Sequence, residues 1–372
     1  MRKILLLLFS FFSVLSIHAQ LNGSGYYRVN NVGDGRYIYV TDNTGSAANV
    51  NNPDMGAVQL KKGLDKAISS PATVLYFEHI SGNEYDLKSQ GTSVKSIIGY
   101  TPSIYYSSRA KAYQVYAQVS GVTIYLGADS DPYYKNKEVS YLTTGSSGDY
   151  NLWNVTPLTS EGDNYFGITP SIEVDGKYYE PFYASFPFSF YSSGMKAYYV
   201  NSVQGIGAQL VPVEGSIIPA ATPVIIECSS SDPSNNRLEL LAQGGTAIKD
   251  NMLKGVYFEN KFRQKSKDAI TKYNKATMRV LGKTQDGKLG FVLSSDENLK
   301  ANKAYLLVNE GSEEVILAMD EQQFSSIELP AILDDTALEV YTILGQKVRN
   351  ISSVDNLPSG IFIVNGKKVI KK

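Results

Sequence analysis

Ser171-Ile172-Glu173-Val174-Asp175-Gly176-Lys177-Tyr178-Tyr179-Glu180 reads as two strands joined by a two-residue turn. Ile172 and Val174 alternate with polar neighbours at period two, the spacing of a half-buried strand. Asp-Gly supplies the positive φ angles that the tightest hairpin connections need. Working outward, the same device recurs twice. Residues 280–284 and 288–293 flank Asp286-Gly287, and residues 360–364 and 367–371 flank Asn365-Gly366. Elsewhere, runs rich in Tyr, Val and Ile alternate with turn dipeptides, which is the pattern of sandwiches and barrels. Helix is expected only in two short stretches, 56–68 and 268–277. The chain is predicted to be all-β.

At 372 residues the chain exceeds the roughly 250–300 that one hydrophobic core usually serves, so several domains are expected. Lys and Arg number 35 against 36 Asp and Glu, a net charge of −1 that offers no basic footprint for nucleic acid. The single cysteine excludes an intramolecular disulfide framework and every multi-cysteine zinc site.

Residues 1–19 read as a secretory signal peptide. Arg2 and Lys3 form a positive start, an apolar run follows over 4–17, and Ala19 sits where a signal peptidase cuts before Gln20. The apolar run is shorter than the roughly 20 residues of a membrane span, so no transmembrane segment is expected after its removal. Cleavage would take away Arg2, Lys3 and no carboxylate, leaving a formal charge of −3. It would also take away His18, so His79 would be the one imidazole left. Any Ser-His-Asp or Cys-His arrangement would then need His79. That residue lies at the end of an apolar-biased strand, before Ser81-Gly82-Asn83, and reads as a rim residue. Cys228 ends the strand-like Pro223-Val224-Ile225-Ile226-Glu227 and reads as a small buried hydrophobe.

In the first segment, Tyr26-Tyr27-Arg28-Val29-Asn30-Asn31 leads through Asp34-Gly35-Arg36 to Tyr37-Ile38. Leu75-Tyr76-Phe77-Glu78-His79-Ile80 with Gly82-Asn83-Glu84-Tyr85-Asp86-Leu87 echoes Leu152-Trp153-Asn154-Val155-Thr156-Pro157 with Gly162-Asp163-Asn164-Tyr165-Phe166-Gly167. Residues 22–158 resemble the secreted β-trefoil modules of the ricin-type, lectin-like family. Asn151 stands where the family's sugar-binding members carry Gln before the tryptophan. The resemblance implies a β-trefoil-like domain over 20–158, with Asp34, Tyr37, Asn43 and Trp153 as candidate glycan-binding residues.

A second internal similarity relates 194–227 to 277–308. Each unit closes on a shared phrase, Ile218-Pro219-Ala220-Ala221-Thr222-Pro223-Val224-Ile225-Ile226 in one and Leu299-Lys300-Ala301-Asn302-Lys303-Ala304-Tyr305-Leu306-Leu307 in the other. A polar turn delivers the chain into a buried strand, twice. This resembles a β-rich repeat of secreted and surface proteins of Gram-negative anaerobes, and it implies a sandwich-like domain of two related units over 159–329. A basic stretch between the units holds Lys254, Lys261, Arg263, Lys265, Lys267, Lys272, Lys275 and Arg279. It reads as a solvated loop, with polyanion docking as the alternative.

The C-terminal phrases are Leu338-Glu339-Val340-Tyr341-Thr342-Ile343-Leu344-Gly345-Gln346-Lys347-Val348, then Leu357-Pro358-Ser359-Gly360-Ile361-Phe362-Ile363-Val364, then Asn365-Gly366-Lys367-Lys368-Val369-Ile370-Lys371-Lys372. They resemble a shortened type IX secretion C-terminal sorting domain. The resemblance implies a small β tag over 330–372 recognised by secretion machinery, with Gly345, Gln346, Gly360, Asn365, Gly366, Lys367 and Lys368 as its signal positions.

Other motifs lack their required partners. Gly205-Ile206-Gly207 has no third glycine, and Asp129-Ser130-Asp131 lacks the remaining ligands of a calcium loop. The positive compositional signal is 27 tyrosines against 14 phenylalanines, clustered as Tyr105-Tyr106, Tyr133-Tyr134, Tyr178-Tyr179 and Tyr198-Tyr199. On a strand one ring of each pair would face outward, a rigid plate suited to sugars or protein partners. The expectation is a secreted or cell-surface, non-enzymatic binding or adhesion protein for a glycan or a surface protein, with neither cofactor nor metal. The competing classes are a carbohydrate-active hydrolase and a structural surface-layer component.

Overall fold

Val174 faces Lys177 across the Asp175-Gly176 turn, whose two residues take φ of 51° and 72°. These are the angles that a two-residue hairpin demands. The second expected turn differs. Gly287 N–H donates to the Thr284 carbonyl and only Gly287 is left-handed, at φ 77°, so Asp286 stays in the ordinary region. That is a three-residue loop ending in a glycine bulge, not the two-residue turn its Asp-Gly suggested. At the third, Val364 faces Lys367, while Asn365 and Gly366 lie outside the described residues. The computed structural model describes residues 21, 23–43, 56–144, 146–259, 271–309, 314–318, 340–348, 354, 357–364 and 367–371. These residues are mostly strand, in several sheets, so the protein is all-β.

The first body holds β1 (Gly25–Asn31), β2 (Tyr37–Val40), β3 (Val58–Lys61), β4 (Leu75–Ser81), β5 (Glu84–Ser89), β6 (Thr92–Ser93), β7 (Ser103–Ser107), β8 (Ala112–Val119), β9 (Val122–Ala128), β10 (Val139–Thr143) and β11 (Trp153–Pro157). Antiparallel pairings run β1 to β4, β5, β7, β8, β11 and back to β1, closing a ring of six strands. Closure removes free sheet edges from that ring. The ring divides into three lobes, each a pair of ring strands with an insert between them. The inserts are β2 with β3, then β6 with the helix α2 (Val94–Ile98), then β9 with β10. β3 pairs with β10 and joins two inserts into a cap. Inward side chains alternate as strands require: Val29, Leu75, Phe77, Leu87, Val115, Trp153 and Val155 fill the ring. At about 1.5–3 kcal/mol for each large apolar side chain, this burial supplies most of the drive to close it. A cavity of about 30 Å³ remains inside, lined by Val29, Phe77, Leu126, Trp153 and other apolar groups. It is near the size of one water and offers no polar partner, so it stays dry and holds no ligand.

Two expectations for this body are corrected. Residues 56–68 form β3 and then only the five-residue helix α1 (Leu64–Ile68), because the Val58 and Leu60 side chains are buried in the cap sheet. The echo between 75–87 and 152–167 holds only for β4 and β11, which each close a lobe of the ring, and fails beyond them. β4 and β5 make one hairpin, whereas the chain after β11 leaves the ring for a different sheet.

The second body carries β12 (Phe166–Gly167), β13 (Ile172–Val174), β14 (Lys177–Phe182), β15 (Phe188–Phe190), β16 (Lys196–Gln204), β17 (Gly207–Pro212), β18 (Ile217–Ile218), β19 (Val224–Cys228) and β20 (Arg237–Leu240). It continues with β21 (Leu253–Val256), β22 (Met278–Lys283), β23 (Leu289–Val292), β24 (Lys303–Leu307) and β25 (Val315–Ala318). Ten strands form a sheet in the order β13-β14-β19-β16-β17-β25-β23-β22-β24-β21. Two sets of strands mirror each other about β25. In chain order β14, β16, β17 and β19 take the same relative places as β21, β22, β23 and β24. β25 runs parallel to β17 and antiparallel to β23. The sheet closes over a core of Val200, Leu210 and Ile225 from one set and Leu281, Phe291 and Leu306 from the other. Ala221 and Asn302, fourth in the two shared phrases, both adopt positive φ, 56° and 58°. A smaller sheet, β12-β20-β15-β18, packs Phe166, Phe188 and Leu238 into a separate cluster. Among the described residues of 268–277 there is no helix, only an isolated bridge at Lys272 and a turn.

The two bodies share buried contacts. Phe258 joins the core of the first, and Val74 joins a core cluster of the second. Arg28, 1% exposed, donates to Thr73 Oγ1 and the Ile68 carbonyl on its own body and to Asn164 Oδ1 and the Tyr165 carbonyl beyond it. The last strands, β26 (Val340–Thr342), β27 (Lys347–Val348), β28 (Gly360–Val364) and β29 (Lys367–Lys371), form one sheet over Val340, Leu357, Phe362 and Val364.

Candidate functional site

The four residues nominated for glycan binding do not converge. Asp34 holds an ion pair of 2.6 Å with Arg36, and both side chains are buried. Arg36 in turn donates through Nη2 to the Tyr134 and Lys137 carbonyls at 2.7 and 2.6 Å. Asp34 is therefore a brace for the loop around the helix α3 (Pro132–Lys135), committed through its guanidinium partner. Tyr37 is half-buried against Tyr39, Ala67 and Ala72. Asn43 is exposed just beyond β2. Trp153 is 1% exposed, and its Nε1 donates to the Leu126 carbonyl at 2.9 Å. It is a core residue and presents no ring to a ligand. Arg36 lies inside the phrase read as a turn, and a buried arginine there leaves no signal in composition.

The reactive side chains are likewise occupied. His79 is exposed at the end of β4, its ring 3.0 Å from the Gly82 carbonyl and against Tyr85. Cys228 is buried, and burial with Glu180 and Glu227 nearby pushes its thiol up to about 12, far from a nucleophilic thiolate. Asp129 accepts from the Tyr141 hydroxyl, and Asp131 caps α3 through the Tyr133 N–H. Among the described residues no three His, Cys, Asp or Glu side chains group as metal ligands. Within the basic stretch Arg279 is 3% exposed and donates to the Lys275 and Met278 carbonyls, so it is removed from any surface patch. Lys254, Lys272 and Lys275 are exposed, and 261–267 lie outside the described residues.

In the C-terminal sheet Gly345 forms the β26–β27 turn at φ 80°, and Gln346 closes it on Thr342. Gly360 opens β28, Lys367 and Lys368 lie on β29, and Lys368 is exposed. Beside Gly345, Ile343 and Leu344 are 64% and 83% exposed. The signal segment 1–19 lies outside the described residues, and among those described no helix is long and apolar enough to cross a membrane.

Exposed tyrosine rings favour the first body: Tyr105, Tyr125 and Tyr133 lie there, with Tyr191 on the second. The alternation expected for adjacent tyrosines holds at Tyr105-Tyr106. Tyr133-Tyr134 instead belong to α3, and Tyr178 and Tyr199 are only half-buried beside buried Tyr179 and Tyr198. Tyr105, Tyr116 and Tyr125 share one wall. Tyr116 stands opposite Ser103 on β7 and Tyr125 on β9, while Tyr105 stands opposite Gln114, one diagonal step away. Tyr116 and Tyr125 have ring centroids 5.9 Å apart at 49°. Their intervening neighbours Ile104, Val115 and Leu126 point into the ring, so the tyrosines face outward.

No known family model matches the chain, and no curated protein matches it. Among solved structures a mosquitocidal holotoxin aligns with 88% of this chain and 37% of its own, at 9% identity and a TM-score of 0.23. The chain thus spans little more than a third of that toxin's length, and a likeness of this grade carries no argument.

Proposed function

We propose that the protein is a secreted, surface-directed binding protein that performs no catalysis. The observation that carries this reading is the contrast between its reactive groups and its tyrosines. His79, Cys228, Asp34 and Asp129 are each held in a core, turn or brace, while exposed tyrosine rings collect on the first body. Exposed Tyr offers a rigid apolar plate with a hydroxyl at little entropic cost, which favours recognition.

The three-lobed ring of six strands supports a β-trefoil reading of 20–158, with the middle lobe's cap hairpin reduced to β6 and α2. The mirrored order about β25 supports a duplicated unit within 159–329. The four-stranded sheet near the chain end supports the sorting-module reading of 330–372, and the signal-like segment 1–19 supports export.

A glycan array probed with the full mature chain, run beside a polysaccharide hydrolysis assay, tests the binding reading. Saturable retention without turnover is expected; hydrolysis would assign the protein to the competing enzyme class. Cell fractionation with and without residues 330–372 tests surface direction, and unchanged display of the shortened chain would refute the sorting role.

A further inference from the structure

The wall formed by β7, β8 and β9 differs from the rest of the ring's outer surface. Its outward side chains include Ser103, Tyr105, Gln114, Tyr116, Gln118, Thr123 and Tyr125, and none of them is Asp, Glu, Lys, Arg or His. The adjoining outer wall of β4 and β5 is charged: Lys88 pairs with Glu78 at 2.6 Å and approaches Asp86. Glu84, opposite Ser103, marks the border between the two walls, and Arg109 and Lys111 lie at the far hairpin turn.

Within the neutral wall the three tyrosines step across three adjacent strands, a span of two strand spacings or roughly 10 Å. Tyr105 and Tyr125 are 48% and 38% exposed. Strand pairing on both sides of β8 fixes their backbones, so the plates are ordered before any ligand arrives. Gln118 is exposed and donates to Thr123 across the pair at 2.8 Å, beside the tyrosine row. Gln114 lies between Tyr105 and Tyr116 with both a donor and an acceptor to offer.

We infer that this wall binds an uncharged glycan chain, the C–H faces of its sugars against Tyr105, Tyr116 and Tyr125 and its hydroxyls toward Gln114 and Gln118; the inference rests on the binding role proposed above. The charge pattern selects the ligand. A sulfated or uronic-acid polymer would find no counter-ion along the wall, whereas a neutral sugar pairs apolar C–H patches with neutral hydrogen-bonding groups. The wall lies outside the ring and apart from Asp34, Tyr37 and Asn43.

The test uses the full mature chain on a glycan array, with soluble laminarin and dextran as neutral probes and heparin as the charged comparator in affinity electrophoresis. Retention by a neutral probe is expected, weakened at least about fivefold by Tyr125→Ala or Tyr105→Ala and lost when Tyr105, Tyr116 and Tyr125 are all replaced by Ala. Tyr191→Ala, an exposed ring on the second body, is the control and should bind as the parent does. Tyr125→Phe should keep the plate and most of the binding, and circular dichroism with thermal melting verifies that each variant is folded. Neutral-glycan binding unchanged in the triple variant would overturn the site and leave the binding role standing. Retention by heparin alone would overturn the ligand class. No retention by any glycan would overturn this inference together with a glycan-binding role. A dimer in light scattering that the triple variant dissolves would give the wall to a second copy of the chain instead.

Discussion

Gln90 and Asn302, 212 residues apart, exchange two hydrogen bonds of 2.8 Å, each amide donating to the other's oxygen. Both are buried, and both sit at left-handed backbone positions, φ 52° and 58°. Gln90 also donates to the Tyr257 carbonyl, and Asn302 to that of Tyr183. Tyr183 and Tyr257 stack at 4.4 Å beside the pair. The first and second bodies are thus joined by a fully satisfied polar contact inside an apolar seam. Removing one amide strands the other in a place water does not reach. Asn302→Ala should cost about 2–3 kcal/mol, from the unpaired partner plus the loss of asparagine's tolerance for the left-handed backbone. Gln90→Ala in the same background should add less than it does alone, because its partner is already gone. Urea unfolding of the two single variants and the double variant measures this; additive losses would show that the pair is not coupled.

Asp34 offers a second check, because its structural and ligand-binding roles make opposite forecasts. Its removal leaves Arg36 buried without its carboxylate, a loss of about 3–5 kcal/mol. Asp34→Ala should therefore melt early and lose hydrogen-exchange protection around Tyr134 and Lys137, whose carbonyls Arg36 holds. Weaker glycan binding at unchanged stability would return Asp34 to the ligand-contacting residues.

Alkaline pH should unfold the protein. Burial pushes the phenols of Tyr39, Tyr113 and Tyr179 up to about 12 from their ordinary 10.0. In the unfolded chain these groups lose protons near pH 10, while in the folded chain they hold them to about pH 12. The folded state thus binds more protons in that window, and stability falls as pH rises through it. The stabilisation is fully present below pH 10. Ultraviolet titration of phenolate beside circular dichroism should show a large share of the phenolate appearing together with loss of the fold. Complete phenolate formation on an intact fold would contradict the burial of these rings.

Cys228 should resist chemistry in the native state. Its thiol is pushed up to about 12, and it lies in the same apolar cluster as Phe182 and Val224. Labelling with a thiol reagent at pH 8 should proceed at the rate of unfolding and become rapid in denaturant. Fast labelling of the folded chain would place the thiol in reach of solvent.

The elements that could be read locally were those whose reason is local. Asp175-Gly176 marks its hairpin because left-handed φ is a property of two adjacent residues, and the all-β pattern follows from period-two alternation. Asp286-Gly287 misled because the same dipeptide serves a three-residue loop closed by Thr284, a choice made by the flanking register. Val58 and Leu60 carried a helix expectation because the cap sheet that recruits them is assembled from β3 and β10, far apart in sequence. Trp153 looked like a ligand plate and is a wall of the core, since a ring's direction depends on closure of the barrel. The outward row at Tyr105, Tyr116 and Tyr125 has no sequence signature beyond tyrosine itself, because it exists only once three strands lie side by side.

β25 reaches further than its four residues suggest. Among the described residues it is the last strand of the second body in chain order, yet it occupies the middle of a ten-stranded sheet, hydrogen-bonded to both mirrored sets. A chain emerging from its N-terminus builds both flanks first and holds β17 and β23 open as unpaired edges until residue 318 arrives. Completion of the body therefore waits for residues 315–318: a product cut short between β24 and β25 is left with two sticky edges in place of a seam, the form most prone to aggregate.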